Sequence, residues 1–297
     1  MNITIRASDM IGTIYECVGG VYTVKTDDGT VSCTARGLFR KDDTLIFTGD
    51  RVNVEDGVIT EIFPRKNSLT RPPVANIDKL FLVVAVSSPD PNLYNIDKML
   101  AVAEYHGIQP VIVLSKSDLN DVFGLYDIYG SLPYKIYTVS QDSENDIDKI
   151  RDEISGCVCV MSGISGVGKS TLLNRLSPGL SLKTGDISKR LGRGKNTTRS
   201  SRFFDVFDGV IADTPGFSSL SFESYDIKNR AFLADCFPEF REYVNDCLFS
   251  DCSHTKEKGC GVIEALKQGK IKKSRHENYC RMYEELGVYK PWEDKNN

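Results

Sequence analysis

The sequence has no apolar run long enough to cross a membrane, although hydrophobic residues make up 40% of its 297 residues. Its first residues do not combine a basic stretch with an apolar core, so secretion is not expected. Internal repeats and low-complexity tracts are missing as well. Because the net charge is −4, any contact with nucleic acid has to come from local basic patches. These absences favour a globular protein of two or three domains.

A glycine-rich stretch stands at the centre of the chain. An apolar run at 158–161 leads into G-x-x-x-x-G-K-S at 163–170, and leucines follow at helical spacing. Strand, glycine loop and helix in this order predict a phosphate-binding loop, in which backbone N–H groups and a helix N-terminus bind a nucleoside triphosphate. Lys169 then reaches the β- and γ-phosphates and Ser170 ligates Mg²⁺. The predicted nucleotide-binding residues are Gly163, Ile164, Ser165, Gly166, Val167, Gly168, Lys169, Ser170 and Thr171.

The first 70 residues consist of short β-rich runs separated by glycine turns. About five strands in so short a span predict a small closed barrel, of the OB or the SH3-like kind. Its basic side chains either form a nucleic-acid-binding face or are ordinary solvated charges, and the sequence leaves both interpretations open. These side chains are Arg36, Arg40, Lys41, Arg51, Arg65 and Lys66.

The pattern changes after residue 73. A continuous apolar run at 80–86, a helical pattern at 92–107 and a second apolar run at 110–114 predict an α/β sheet. The second run leads into Ser115, Lys116, Ser117 and Asp118, at a strand end where ligands of such sheets gather. A carboxylate there accepts two hydrogen bonds from the N1–H and N2 amino edge of guanine, which adenine does not offer. The sequence therefore predicts that Asp118 selects guanine.

Two further segments complete a nucleotide site. Residues 183–202 carry seven basic residues against one acidic residue, a charge that suits the phosphate of a nucleotide or of RNA. Thr198, within this segment, can complete the Mg²⁺ shell. A predicted strand at 209–212 leads into Asp213-Thr214-Pro215-Gly216. Asp213 can hold Mg²⁺ through water, and the Gly216 N–H can face the γ-phosphate.

The order of these motifs is unusual. In an ordinary GTPase the phosphate loop comes first and the base-selecting motif comes last. Here residues 115–118 precede the phosphate loop at 163–170, and DTPG at 213–216 comes after both. A circular permutation of one sheet places every motif correctly, because the ends of compact domains tend to be close together.

The nine cysteines fit a cytosolic protein with reduced or metal-bound thiols better than a disulfide framework. Cys247, Cys252, His254 and Cys260 form a full tetrahedral set for one structural Zn²⁺. A competing set pairs Cys247 and Cys252 with His276 and Cys280, four apart on a predicted helix. The compact set is preferred, because Cys280 also fits an apolar stripe. The remaining cysteines are interpreted as small core residues: Cys17, Cys33, Cys157, Cys159 and Cys236.

Taken together, these motifs resemble the circularly permuted GTPases that depend on the small ribosomal subunit (the ribosome small subunit-dependent GTPase A family). RPPVANID at 71–78, GRGKNTTR at 192–199, DTPGF at 213–217 and FSDCSHTKEKGC at 249–260 carry the resemblance. It implies an α/β fold in three parts. An OB-type, RNA-binding barrel spans 1–70, a circularly permuted P-loop GTPase domain 71–222, and a mainly helical zinc-finger domain with C-terminal helices 223–297.

The resemblance also implies a function: binding to the small ribosomal subunit and its rRNA late in maturation, with GTP hydrolysis stimulated by the subunit. Expected cofactors are one structural Zn²⁺, and Mg²⁺ with GTP; the expected state is a cytoplasmic monomer with no membrane contact. Three departures stand out. Ser115 replaces the usual Asn or Thr, the loop after Ser140 lacks the usual S-A, and Asn196 replaces a histidine proposed to position water.

Two other functions remain open from the sequence. Asn196, and Phe217 where many GTPases place a glutamine, suit a GTP-sensing RNA-binding protein with little hydrolysis. A P-loop ATPase or small-molecule kinase is the other possibility, against which the SKSD segment (residues 115–118) argues.

Overall fold

The computed structural model describes residues 10–37, 39, 44–140, 146–177, 201–213 and 221–287, and only the backbone of Asp213. Asn196, Thr198, Gly216 and most of the basic segment 183–202 therefore lie outside the described residues. The chain divides into two units. The first comprises Met1–Lys79, Ile147–Ser165 and Lys169–Phe217, and the second comprises Leu80–Asp146, Gly166–Gly168 and Ser218–Asn297.

Short strands come first along the chain, and helices follow from residue 93 onward. The strands are β1 (Met10–Val18), β2 (Val21–Thr26), β3 (Gly29–Ala35), β4 (Arg51–Glu55), β5 (Val58–Ile62), β6 (Ser68–Thr70), β7 (Pro73–Ala75), β8 (Lys79–Ala85), β9 (Gln109–Ser115), β10 (Lys135–Val139), β11 (Val158–Ser162), β12 (Arg202–Val206) and β13 (Gly209–Asp213). The α-helices described in full are α1 (Leu93–Tyr105), α2 (Phe123–Tyr129), α3 (Ile147–Ile154), α4 (Lys169–Leu176), α5 (Gly261–Lys267) and α6 (Lys273–Leu286).

The first five strands close into a barrel. β1 pairs with both β2 and β4, and β3 pairs with β5, so pairing runs round the ring β1-β2-β3-β5-β4 without an open edge. Alternate residues fill the interior, such as Val52 and Val54 on β4, both 0% exposed. This ring is the five-stranded Greek-key arrangement of an OB-type barrel, so the predicted closed barrel is confirmed.

Two of the basic residues considered for a nucleic-acid-binding face form ion pairs within the first unit instead. Arg65 donates to the buried carboxylate of Asp50 at 2.6 and 2.8 Å, and its guanidinium lies over the ring of Phe47. Lys66 forms an ion pair with Asp78. Removing one partner of the Arg65–Asp50 pair would leave a buried charge unpaired, which is strongly destabilising. Of the other basic residues, Arg36 and Arg51 are exposed, whereas Arg40 and Lys41 lie outside the described residues.

The hairpin β6–β7 docks against the barrel, and the residues that follow it contact the strand that leads into the phosphate loop. Asn76 donates its amide to the carbonyl of Gly49 at 2.8 Å. Gly49 has a φ of +92°, and a Cβ there would lie 2.2 Å from the carbonyl oxygen of Ala75, so only glycine fits. Asp78 then accepts the backbone N–H of Val158 at 2.7 Å, which fixes the start of β11. The RPPVANID stretch thus positions the phosphate-loop strand.

In the first unit, β11 and β13 lie side by side. They pair in parallel, with Val160 opposite Ala212, and β12 pairs antiparallel with β13. Helices α3 and α4 pack together, and α4 buries Leu172, Leu173 and Leu176. The strand, loop and helix predicted around the phosphate loop are therefore confirmed.

In the second unit, β8, β9 and β10 lie in the order β10-β9-β8, with β9 and β10 parallel. The apolar runs predicted as strands are buried, and α1 lies between β8 and β9 along the chain. Asn92 caps α1 by accepting the N–H of Asn95 at 3.1 Å. This confirms the predicted succession of strand, helix and strand.

The C-terminal residues of the second unit consist of short 3-10 helices followed by α5 and α6. Helix α6 contacts α1 through a buried ion pair between Arg275 and Asp97, 2.8 Å apart and each 1% exposed. Arg275 also binds Glu239 with two N–H groups, and Asn278 donates to Asp97 at 2.6 Å. Because every charge here has a partner, the desolvation cost is offset and the helices are held in one arrangement.

The core assignments of the cysteines are partly confirmed. Cys33, Cys159 and Cys236 are buried, as predicted. The prediction was wrong for Cys17 and Cys157, which are partly exposed. Cys17 pairs with Tyr22 close to the end of β1, and Cys157 precedes β11.

No helix among the described residues combines the length and the apolar character that crossing a bilayer requires.

Candidate nucleotide and metal sites

The phosphate loop (residues 163–170) has the backbone that its glycines predict. Gly163, Gly166 and Gly168 have φ values of +146°, +87° and +94°, which side-chain-bearing residues rarely adopt. Helix α4 begins at Lys169, within the last two residues of the loop. Its unpaired N–H groups and the positive end of its dipole therefore face the position of a bound phosphate.

Lys169 folds back over the loop. Its ammonium donates to the carbonyls of Gly163 at 2.5 Å and Ile164 at 2.9 Å. Burial lowers the pKa of Lys169 to about 8. A phosphate oxygen would be a stronger partner than these neutral carbonyls, because its negative charge adds Coulomb attraction to the hydrogen bond.

The SKSD segment touches the phosphate loop through Ser115. Its buried hydroxyl lies 2.6 Å from the carbonyl of Val167, to which it donates, and 3.3 Å from that of Val84. Lys116, with a φ of +57°, donates to the carbonyl of Ser88. The serine that replaces Asn or Thr thus holds the phosphate loop with its hydroxyl.

Asp118 is exposed at the end of this segment, where a base can reach it. The Ser117 N–H donates to the carbonyl of Val139, and Val139 lies opposite Ser115 in the parallel pair β9–β10. Ser140 therefore follows a strand that ends beside the SKSD segment, as its sequence position indicated.

Sequence reasoning missed the loop after β8. Ser88 accepts the Lys116 ammonium, and a Cβ placed on Gly166 would lie 3.8 Å from Cδ of Pro89. This loop could have been predicted in the same way as the SKSD segment, because residues directly after a buried strand lie at the edge of the sheet where ligands bind.

We expect Ser115→Ala to weaken GTP and GDP binding alike, by about 10-fold, because the buried Val167 carbonyl loses its donor and an unsatisfied group costs about 1–3 kcal/mol. Preference for guanine over adenine should not change. Ser115→Thr keeps the hydroxyl and is the matched control. Titration with fluorescent nucleotides measures both effects, and parent-like affinity in the alanine variant would show that the hydrogen bond does not support the loop.

Of the second half of the predicted site, the structure describes the backbone of Asp213. It ends β13, one residue beyond the pairing of Val160 with Ala212. Its backbone therefore stands at the sheet edge where β11 enters the phosphate loop. Thr198, Asn196 and Gly216 lie outside the described residues, and their roles stay predictions.

The predicted cysteine and histidine set forms a cluster. The ligand atoms of Cys247, Cys252, His254 and Cys260 all lie within 4.8 Å of one another. Nδ1 of His254 is 3.4 Å from the sulfur of Cys247 and 3.5 Å from that of Cys260, and these two sulfurs are 3.9 Å apart. A tetrahedral ion with bonds of about 2.3 Å to sulfur and 2.05 Å to nitrogen requires separations of about 3.6 and 3.8 Å. The cluster can therefore hold a metal ion.

The competing set is not supported by this geometry. Nε2 of His276 lies 2.8 Å from the carbonyl of His254. A carbonyl only accepts hydrogen bonds, so Nε2 carries a proton and Nδ1 is the nitrogen left to bind a metal. Among the described residues, however, the ligand atoms that gather within 4.8 Å of one another are those of the compact set. His276 instead supports the backbone of a ligand residue, which has a φ of +56°.

Glu257 organises the cysteine loop (residues 247–260). Its carboxylate accepts the N–H groups of Ser253, Thr255 and Lys256, and also the Ser253 hydroxyl. Burial acts to raise the pKa of Glu257, but these hydrogen bonds outweigh it and lower the pKa to about 2. The carboxylate therefore stays ionised and keeps the turn around His254 closed.

Family comparisons cover nearly the whole chain. The model described as RsgA GTPase matches residues 62–223, and the model described as RsgA N-terminal domain matches residues 11–60. A curated relative from Bacillus cereus, named small ribosomal subunit biogenesis GTPase RsgA, is 40% identical over an alignment of 291 residues that covers 94% of this chain and 98% of the relative.

Two solved structures resemble the fold. YjeQ from Thermotoga maritima has a TM-score of 0.80 and 35% identity, covering 94% of this chain and 99% of that protein. YloQ, described as a circularly permuted GTPase, has a TM-score of 0.79 and 29% identity, covering 98% and 99%. The circular permutation predicted from the motif order is confirmed.

Proposed function

The chain belongs to the RsgA GTPase family, and we propose on that premise that it hydrolyses GTP at the phosphate loop while bound to the small ribosomal subunit. It is a GTP-hydrolysing enzyme that acts in ribosome maturation. The observation that best supports this location of the site is the hydrogen bond from Ser115 to Val167, which joins the SKSD segment to the phosphate loop.

In the proposed site, each residue meets one part of the nucleotide. The loop amides and Lys169 neutralise the β- and γ-phosphates, and Asp118 accepts the guanine N1–H and amino group. Ser170 and Thr198 ligate Mg²⁺, with Asp213 holding it through water. Gly216 donates its N–H to the γ-phosphate, and Asn196 orients the attacking water. Thr171, Lys116 and Ser117 complete the nucleotide contacts.

The Cys₃His cluster is proposed to hold one structural Zn²⁺. Three thiolates and one imidazole are a typical closed ligand set for this ion, and the measured separations fit its bond lengths. Zn²⁺ would supply no chemistry in hydrolysis; it would fix the cysteine loop. The domain boundaries at residues 70 and 222 belong to the same proposal, as do rRNA binding by the barrel, a monomeric state and a cytoplasmic location.

The test is hydrolysis of GTP and of ATP, each measured with and without purified small ribosomal subunits. We expect slow turnover of GTP alone and strong stimulation by subunits, because ordering the groups around the γ-phosphate lowers the barrier. ATP should not be hydrolysed in either condition. GTP binding without stimulated turnover would favour a GTP-sensing protein, and equal use of ATP would favour an ATPase or kinase.

Asp118→Asn is the informative variant in this assay. An amide cannot accept both guanine donors, so GTP affinity should fall about 10- to 100-fold. Xanthosine triphosphate, which has a carbonyl in place of the amino group, should bind better to the variant because the amide can donate to it. A variant that keeps parent-like preference for GTP would show that the SKSD segment does not select the base.

A further inference from the structure

An open cavity lies beside the metal cluster. The cysteine loop and α5 enclose about 720 Å³, and Cys260 and His276 are among the lining residues. Ligand pockets for small molecules range from about 300 to 1,000 Å³, so this space suits one nucleotide.

Close backbone contacts fix the walls of the cavity. A Cβ on Gly261 would lie 2.2 Å from the carbonyl oxygen of Tyr243, and the Gly261 N–H donates to the sulfur of Cys247 at 3.4 Å. The cavity shape therefore depends on a glycine and on a residue of the metal cluster, and it is built into the fold.

The charges on the cavity wall favour an anion. Lys256 and Lys258 are exposed, and neither ammonium forms an ion pair with a residue that the structure describes. Two of the acidic residues on the wall are already engaged. Glu257 accepts the backbone N–H groups of its own turn, and Glu264 lies 3.4 Å from the ammonium of Lys267. The wall also carries the exposed Asp246, so four lysines (Lys256, Lys258, Lys267 and Lys270) stand against three carboxylates (Asp246, Glu257 and Glu264), and the balance of charge still favours a phosphate.

One aromatic side chain completes the cavity. Tyr243 is partly exposed, and the ammonium of Lys270 lies 5.6 Å from its ring centroid. An aromatic face combined with unpaired cations is the arrangement by which proteins bind single-stranded nucleic acid, since every base can stack and every phosphate is negative.

We infer that this cavity binds one unstacked nucleotide of a single-stranded RNA segment. Its base stacks on Tyr243, and the flanking phosphates contact Lys256 and Lys258. The inference rests on the proposed function, in which RNA is the partner. It adds where RNA binds in the C-terminal part of the chain, and that the bound RNA is single-stranded.

The test uses the full, metal-loaded chain and an eight-nucleotide single-stranded RNA of mixed sequence that contains 2-aminopurine. Stacking on Tyr243 should quench the 2-aminopurine fluorescence. We expect Tyr243→Leu to weaken binding about 10-fold and to abolish the quenching, because one stacked base contributes about this much, whereas Tyr243→Phe should retain both. Lys256→Glu and Lys258→Glu should each weaken binding and reduce its dependence on salt.

Lys273→Glu is the matched control, since Lys273 is 83% exposed on α6 and lies outside the cavity. Equal weakening by Lys273→Glu, or unchanged quenching in Tyr243→Leu with metal content intact, would overturn the inference. A free mononucleotide that binds as tightly as the RNA would show a small-molecule site instead. Subunit-stimulated hydrolysis by the parent protein is measured separately, so a failure of the proposed function is seen independently of these variants.

Discussion

Lys169→Ala is expected to lower GTP hydrolysis at least about 100-fold, both with and without small ribosomal subunits. The lysine supplies the only side-chain cation of the phosphate loop, and removing one group that stabilises transition-state charge typically costs this much. Because the loop carbonyls of Gly163 and Ile164 lose their donor as well, nucleotide affinity should also fall. Phosphate release assays measure the rate, and fluorescent GTP measures the affinity.

The pH dependence of binding gives an independent check on Lys169. Burial lowers its pKa to about 8 in the free protein, and a phosphate selects the charged ammonium. GTP affinity should therefore be constant below about pH 7 and fall as pH rises through 8. Lys169→Ala should lose this dependence between pH 7 and 9, whereas the surface variant Lys273→Ala should keep it. Parent-like turnover in Lys169→Ala would place the active site elsewhere.

Much of the nucleotide site could be predicted because its motifs are contiguous. The phosphate loop needs glycines at fixed spacing and a strand and helix on either side, and all of this lies within 19 residues, from Val158 to Leu176. The apolar run predicted as a strand at 80–86 forms β8 at Lys79–Ala85, since a run buried on both faces has few alternatives.

What could not be predicted depends on contacts between distant residues. Ser115 meets Val167 across 52 residues, and Lys116 meets Ser88 across 28. Neither contact has a local pattern. Ser115 belongs to the segment predicted to bind the base, whereas its hydroxyl donates to the phosphate loop. In the same way, a count of basic residues could not show that Arg65 is engaged by Asp50.

The candidate metal ligands could be predicted from the sequence because cysteine and histidine are rare and four of them fall within fourteen residues, from Cys247 to Cys260. Choosing between the compact set and the set with His276 needed the fold. In the fold the ligand atoms of the compact set gather within 4.8 Å of one another, whereas Nε2 of His276 hydrogen-bonds to the carbonyl of His254.

Removing the metal is expected to unfold the C-terminal part of the second unit. Between residues 222 and 246 the described helices are 3-10 helices of three or four residues, which are weak on their own even though this segment buries Phe237 and Phe240. A structural Zn²⁺ contributes about 10–16 kcal/mol in zinc-finger peptides, which is comparable to the whole net stability of a typical domain, about 5–15 kcal/mol. Chelation should therefore raise amide hydrogen exchange across residues 221–287, and re-addition of Zn²⁺ should restore protection.

Point variants distinguish the metal ligands from the residues that surround them. Cys260→Ser should lose the metal, because a serine hydroxyl is a poor zinc ligand, and should show the exchange pattern of the chelated protein. His276→Ala should keep one metal ion per chain with about 10-fold lower affinity, since it removes only a hydrogen bond to a ligand residue. Cys236→Ser, at a buried cysteine outside the cluster, is the matched control and should keep full metal content. Loss of metal in His276→Ala together with retention in Cys260→Ser would place the metal site at His276 and Cys280. The close spacing of the compact set would then not reflect metal binding.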